Sequence, residues 1–272
     1  MRIAEHHSVP PLGVLDIGSN TVRLVLFRKQ SIDLEPRWSN WREVFNMREP
    51  CRLGHGLAAT GEMQAANLAH ACRAIRDFRR ALAKEAPNAY IDVLATAAVR
   101  DARNADRLIN LIARAFGAPP RVLTGEEEAY YATLGVQFGA PQASGLFADL
   151  GGGSLELSRG EDSSMTSLPL GVLRLLEQSG GKHQRARKLI RESLKRVDFL
   201  HECEDETLHL VGGSWRAMAT LHRLIQREPL PQLIEGYGLK GRKARRFAAQ
   251  IIREKPDRMR PYIRRPDPAA PL

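Results

Sequence analysis

Asp149-Leu150-Gly151-Gly152-Gly153-Ser154-Leu155-Glu156 lies near the middle of the 272-residue chain and sets carboxylates on either side of three consecutive glycines. Upstream, Ser144-Gly145-Leu146-Phe147-Ala148 reads as a buried strand; downstream, Ser154-Leu155-Glu156-Leu157-Ser158 alternates as a second strand would. The stretch therefore predicts a glycine hairpin. Residues without Cβ let the backbone approach a ligand and take up positive φ, while their N–H groups converge on an anion. A bare triple glycine serves equally well as a tight turn. The flanking Asp149 and Glu156 tilt the reading toward a metal-bound phosphate, because a hairpin alone needs no carboxylate there.

The same logic recurs near the start of the chain. Gly13-Val14-Leu15-Asp16-Ile17-Gly18-Ser19-Asn20 is an apolar strand, an Asp at its end and a Gly-Ser turn, with Val22 to Phe27 returning from it. Two Asp-x-Gly hairpins predict a duplicated architecture, each half closing on one side of a shared phosphate. Between them the pattern gives a strand at Trp41 to Met47, a glycine-punctuated loop Arg52-Leu53-Gly54-His55-Gly56-Leu57, and a helix from Glu62 to Ala86 whose Leu68, Cys72, Ile75, Phe78 and Leu82 share a face. The strand Tyr90 to Thr96 runs into Ala97-Ala98-Val99-Arg100, where small residues at a strand-to-helix junction leave room for a phosphate that Arg100 can reach with a bidentate fork. A helix from Ala105 to Ala115 and a short strand through Val122 lead to the helix Glu126 to Phe138, which opens with three acids. Acids in a first turn complement the helix dipole, and that is their ordinary role; beside a phosphate, one of them also stands where a general base belongs.

Beyond the central hairpin the sequence predicts a strand, turn and helix start from Leu168 to Leu175 and a basic helix from Gln184 to Cys203. A strand from Leu208 then ends in Gly212-Gly213-Ser214 before the helix Trp215 to Gln226. That junction suits a phosphate or nucleoside, or simply close strand-helix packing. From Lys240 onward the chain is densely basic, and Pro261, Pro266, Pro268 and Pro271 predict an unstructured end.

Net charge is +10, which favours a polyanionic partner. Aromatic residues make up only 6% and none interleave the arginines in a stacking pattern, which argues against nucleic acid. No apolar run approaches the ~20 residues that span a bilayer, and Met1 to His7 lacks the apolar core of a signal peptide, so a cytoplasmic protein without a membrane partner is expected. Cys51, Cys72 and Cys203 are widely separated and indicate neither a zinc site nor a disulfide framework; His55 and His70 stand alone.

Taken in order, seven stretches resemble the exopolyphosphatase / guanosine pentaphosphate phosphohydrolase (Ppx/GppA) family: Asp16 to Thr21, Arg52 to Leu57, Ala95 to Arg100, Thr124 to Ala129, Asp149 to Glu156, Leu168 to Gly171 and Val211 to Ser214. The resemblance covers about residues 12 to 240. It implies an α/β chain of two actin-like (ribonuclease H-like) βββαβαβα domains around a cleft, at 12–124 and 125–256, between a flexible leader 1–11 and a basic, proline-rich tail 257–272. It further implies phosphate binding by Gly18, Ser19, Asn20 and Thr21, by Gly151, Gly152, Gly153 and Ser154, and by Gly212, Gly213 and Ser214. The family pattern G-x-E-E-A puts the catalytic glutamate on Glu127, with Glu128 its immediate neighbour; Arg100 assists, and Asp16, Asp149 and Glu156 hold Mg²⁺. The implied activity is release of terminal phosphate from inorganic polyphosphate or guanosine pentaphosphate by glutamate-activated water, in a homodimer. A non-catalytic polyphosphate or nucleotide sensor and an actin-fold phosphotransferase are the alternatives on the same fold. Family members continue with a further strand and helix, and longer ones with a helical domain. Asp257 to Leu272 shows neither, so the second domain is expected to be shortened at its C-terminal end.

Overall fold

Leu15 and Ile17 have no exposed surface while Asp16 between them reaches solvent, the alternation that a strand with one face on a core imposes. The computed structural model that shows this describes residues 9–30, 40–160, 164–203, 205–228 and 236–254; the expected leader before residue 9 and the tail 257–272 lie outside them. The strand is β1 (Leu12–Ile17), the hub of a five-stranded sheet. It pairs antiparallel with β2 (Val22–Lys29), which pairs with β3 (Trp41–Glu49), and on its other side runs parallel to β4 (Tyr90–Ala95), followed by β5 (Arg121–Val122). Among the described residues this stretch holds α1 (Leu57–Thr60), α2 (Ala65–Glu85), α3 (Ala97–Asp101), α4 (Asp106–Phe116) and α5 (Gly125–Gly139). The apolar stripe of α2, Leu68, Cys72, Ile75, Phe78 and Leu82, packs into one core with Leu15, Ile17, Leu24, Leu108 and Ile112. α2 starts three residues later than its sequence predicts. The Asn104 amide takes both backbone groups of Met63, accepting its N–H and donating to its C=O at 2.9 Å each, and so holds Met63 out of the helix.

The second sheet repeats the plan. β6 (Leu146–Leu150) pairs antiparallel with β7 (Leu155–Arg159), β7 with β8 (Met165–Leu168), and β6 runs parallel to β9 (Leu208–Val211). The order β8-β7-β6-β9 reproduces β3-β2-β1-β4, without a counterpart of β5 among the described residues. α6 (Val172–Ser179) and α7 (His183–Leu194) follow β8. The helix expected to reach Cys203 stops at Leu194, since Val197 turns extended (φ −105°, ψ 97°) and drops its side chain into a cluster with Ala148 and Leu157; a 3₁₀ helix, Asp198–Glu202, comes next.

By density of contacts the chain divides between Val211 and Gly212, while the two sheets fall one in each of the spans 12–124 and 125–256. The unit after Gly212 contains α8 (Gly213–Ile225) and α9 (Gly241–Arg253), packed through Leu221, Phe247, Met218, Ile225 and Ile251. No helix among the described residues is long and apolar enough to cross a membrane.

Candidate active site

Each hub strand carries an aspartate as its penultimate residue, two residues before a turn, and the two turns share one backbone plan. In the first, the Gly18 N–H donates to Thr21 O at 3.0 Å; in the second, the Gly151 N–H donates to Ser154 O at the same distance. Asp16 pairs across its hairpin with Arg23, and Asp149 with Glu156. Both turns follow a hub strand flanked by one antiparallel and one parallel neighbour, the switch point at which α/β sheets bind ligands.

Contrary to expectation, none of Gly151, Gly152 and Gly153 takes a positive φ. Their lack of Cβ serves close approach instead. A Cβ on Gly152 would stand 3.1 Å from Ser19 Cβ and 3.3 Å from Asn20 N, and one on Gly153 would stand 2.7 Å from Ser19 Oγ and 3.0 Å from Ala97 Cβ, so the two hairpin turns and the start of α3 abut. On the other side Gly171 presses its backbone onto the turn, where a Cβ would overlap the carbonyl carbon of Gly153 and the nitrogen of Ser154. The first N–H groups of α6 complete this face, with Val172 donating to Gly151 O (3.1 Å) and Leu173 to Gly152 O (2.9 Å). The carbonyls of Gly151 and Gly152 are thereby occupied. The N–H groups of Ser19, Asn20, Gly152 and Gly153 find no backbone acceptor among the described residues and are the donors such a cradle would offer an anion.

Carboxylates gather beside the turns. Protein crowding and the facing Asp149 charge push the Asp16 carboxyl up to about 6, against the pull of Arg23. Asp16 remains open to water on one side, which relieves part of the crowding and leaves the like charge of Asp149 as the firmer cause. Glu156 is 3% exposed; burial raises its pKa, hydrogen bonds from Ser154 and Ser167 oppose the rise, and Asp149 adds to it. The Ser167 hydroxyl donates to Glu156 Oε1 at 2.9 Å.

The acidic turn of α5 separates its glutamates. Glu127 closes a capping box: its Oε2 accepts the Thr124 N–H at 2.8 Å while Thr124 Oγ1 accepts the Glu127 N–H at 3.1 Å, and its Oε1 lies 3.3 Å from Arg121 Nη1. Its side chain is 42% exposed, whereas that of Glu128 is 14% exposed. Glu128 Oε1 accepts from Arg100 Nη1 at 2.5 Å, and the same nitrogen donates to Leu123 O at 2.7 Å. Burial lifts the Glu128 carboxyl to about 7; the Arg100 bond pulls it down, and the charges of Glu156 and Asp149 push it up. Glu128, not Glu127, is thus the glutamate in electrostatic contact with the carboxylates at the second hairpin. Adjacent helical residues point about 100° apart, so the site takes one and the cap the other.

Asp16, Asp149, Glu156, Glu128 and Arg100 therefore form one electrostatically linked group. No set of three or more metal-binding side chains is preformed among the described residues. Asp16 and Asp149, two like charges facing each other, are a donor set that suits a hard divalent cation retaining waters and sharing substrate phosphates. Glu156 spends its carboxylate on serine hydroxyls. Gly212, Gly213 and Ser214 open α8 in the second unit, Gly212 at φ 109°. Contacts across the two sheets that motif reading missed are Glu177 Oε1 accepting the Gly56 N–H at 2.5 Å and an ion pair between Arg174 and Asp101.

The Ppx/GppA phosphatase family model matches residues 38–258. Exopolyphosphatase 1 of Mycobacterium tuberculosis is 31% identical over 172 residues, covering 61% of this chain and 48% of that protein. The Mycobacterium leprae protein of the same name is also 31% identical, with 49% of its length covered. The chain spans about half the length of the curated relatives it matches. Among solved structures it is similar to an exopolyphosphatase from Cytophaga hutchinsonii (TM-score 0.74, 22% identity, 89% of this chain and 80% of that one). It is also similar to the Aquifex aeolicus member of the Ppx/GppA family (TM-score 0.69, 22% identity, 93% and 82%). The actin-like α/β fold with two sheets is the one they share.

Proposed function

The chain belongs to the Ppx/GppA phosphatase family, and from that membership we propose that it hydrolyses the terminal phosphoanhydride of inorganic polyphosphate, with Glu128 as the base that activates water. The observation that carries this reading is the Glu128 carboxyl, raised to about 7, fixed by Arg100 and coupled to Asp149 and Glu156. A base of that strength is half in its active form at neutral pH. The water oxygen attacks the terminal phosphorus and its proton passes to Glu128. The bond to the bridging oxygen breaks, the shortened chain leaves with that oxygen, and Glu128 returns its proton to solvent. N–H groups of Ser19, Asn20, Gly152 and Gly153 hold the phosphoryl oxygens, and Arg100 orients the base. Mg²⁺ held by Asp16 and Asp149 would neutralise phosphate charge. Guanosine pentaphosphate ends in the same kind of anhydride and is the second substrate this chemistry admits.

Phosphate release from polyphosphate, guanosine pentaphosphate and ATP, measured with Mg²⁺, tests the reading. Glu128→Gln is expected to lose about 10²–10⁴-fold in kcat, while Glu127→Gln, which keeps an acceptor for the Thr124 N–H and so preserves the cap, loses far less. The acid limb of kcat/KM should lie near the Glu128 value of about 7, activity rising as the carboxyl deprotonates. The reverse ranking of the two variants would return the base to Glu127. Transfer to ADP in place of phosphate release would mark a phosphotransferase, and tight binding without turnover a sensor.

A further inference from the structure

Arg174 and Glu177 stand one turn apart on α6, and both reach from the second sheet's elements to the first's: Arg174 to Asp101 on α3, Glu177 to the Gly56 N–H. The helix itself is seated on the glycine turn. The N–H groups of Leu173 and Arg174 both point at Gly152 O, at 2.9 and 3.4 Å. Arg174 therefore meets the turn with its backbone and α3 with its guanidinium, and all of these elements belong to one compact unit.

α3 is also the element that carries Arg100. Asp101, the next residue, lies between two guanidinium groups, its two cationic partners among the described residues. Its Oδ2 accepts a direct hydrogen bond from Arg174 Nη2, while its Oδ1 is 3.7 Å from Arg100 Nε, beyond hydrogen-bond reach. Arg100 spends its Nη1 on Glu128 Oε1 and Leu123 O instead. Arg174 is 19% exposed and Asp101 34%, so water screens their pairing only in part. The donors of a guanidinium lie in one rigid plane, and turning that plane to bring Nε onto Asp101 would carry Nη1 off Glu128. What prevents the turn is that Asp101 is already claimed. We propose that Arg174 is a positioning residue for the reaction: by holding Asp101 it reserves Arg100 for Glu128, and so ties the placement of the base to the seating of α6 on the glycine turn. This rests on the assignment of Glu128 as the base, but the link itself is a matter of which carboxylate Arg100 bonds.

Arg174→Gln keeps the α6 backbone and leaves Asp101 with Arg100 as its remaining cation. Its kcat should fall about ten- to a hundredfold, the scale for a displaced catalytic group, with KM unchanged because the N–H groups of the two turns are untouched. Adding Asp101→Asn removes the competing carboxylate, and the double variant should recover most of the lost kcat. A double variant no better than Arg174→Gln alone would make the ion pair a brace between the two sheets and nothing more. Wild-type kcat in Arg174→Gln would mean that Asp101 does not compete for Arg100. Either result overturns the proposal.

Arginine side-chain NMR in EDTA, without substrate, separates this claim from the catalytic one. In Arg174→Gln the Arg100 Nε–H signal should move downfield as Asp101 bonds it, and in the double variant it should return toward its wild-type position. That pattern supports the link even if wild type releases no phosphate. An Arg100 signal unmoved by Arg174→Gln defeats it even if hydrolysis is robust.

Discussion

The turns Gly18–Thr21 and Gly151–Ser154 have the same hydrogen bond, the same position after an aspartate and the same place in their sheets, yet one is Gly-Ser-Asn-Thr and the other Gly-Gly-Gly-Ser. The difference follows from what touches them. A Cβ on Gly18 would meet only Thr21 O at 3.1 Å, whereas the second turn is pressed by Ser19 and Asn20 from one side and by Gly171 from the other. A similar contrast separates the residues across from the aspartates, Arg23 in the first hairpin and Glu156 in the second. One backbone plan has thus been given two electrostatic characters. The first hairpin partly neutralises its aspartate, and the second concentrates negative charge that helps raise the Glu128 carboxyl to about 7.

The most severe way to break this asymmetry is at Gly171. Gly171→Ala forces a Cβ into turn backbone, which cannot swing aside as a side chain can, and a cost of about 3 kcal/mol or more is expected. Thermal unfolding should show a loss of several degrees, and phosphate release should collapse because Gly152 and Gly153 are displaced. Gly18→Ala, with a single tight contact, should be much milder in both measurements. Equal losses would mean that the two turns are equally constrained.

Ser167→Ala probes the second hairpin's charge more gently. The hydroxyl supports a carboxylate that is 3% exposed, and removing it should destabilise by about 2 kcal/mol, the scale for a buried charged group losing one partner. The Cβ of Ser167, which packs against Gly125 at the start of α5, is retained, so the substitution isolates the hydrogen bond. With one stabilising bond gone, the Glu156 pKa should rise further, and a more protonated Glu156 pushes Glu128 up less, seen as a downward shift in the acid limb of the pH-rate profile. An unchanged profile would separate Glu156 from the titration of Glu128.

Both hairpins were legible in the sequence because period-two alternation, a terminal aspartate and glycines are all local signals. What the glycines do was not, since positive φ is the local expectation and the actual reason arrives from Gly171, eighteen residues after Gly153. The C-terminal limit of α7 was hidden for a related reason: Val197 leaves the helix only because Ala148 and Leu157 provide a place for it. The choice between Glu127 and Glu128 turned on a capping threonine and on Arg100, the latter twenty-eight residues earlier in the chain. On the proposed reading a run of three glutamates contains the base, and only helix rotation and a long-range partner single out Glu128.

The mildest test concerns the first hairpin. Raised from its ordinary 3.8 to about 6, Asp16 holds a proton in the native state over a pH range in which the unfolded chain has released it. Its contribution to stability is therefore present below about 4 and is lost as pH rises through about 6. Sealed from water, such a displacement would amount to about 3 kcal/mol; with one side solvated, about 1 kcal/mol is the better expectation. Asp16→Asn in EDTA should accordingly be more stable than wild type at pH 8 and no more stable at pH 4, as followed by denaturant unfolding. Adding Mg²⁺ at pH 8 should raise the stability of wild type and do less for the variant, since the cation relieves the same repulsion that the amide removes. If Asp16→Asn were instead destabilised at pH 8, Arg23 rather than Asp149 would dominate this carboxylate, and the first hairpin would be a self-sufficient ion pair with no need of a shared cation.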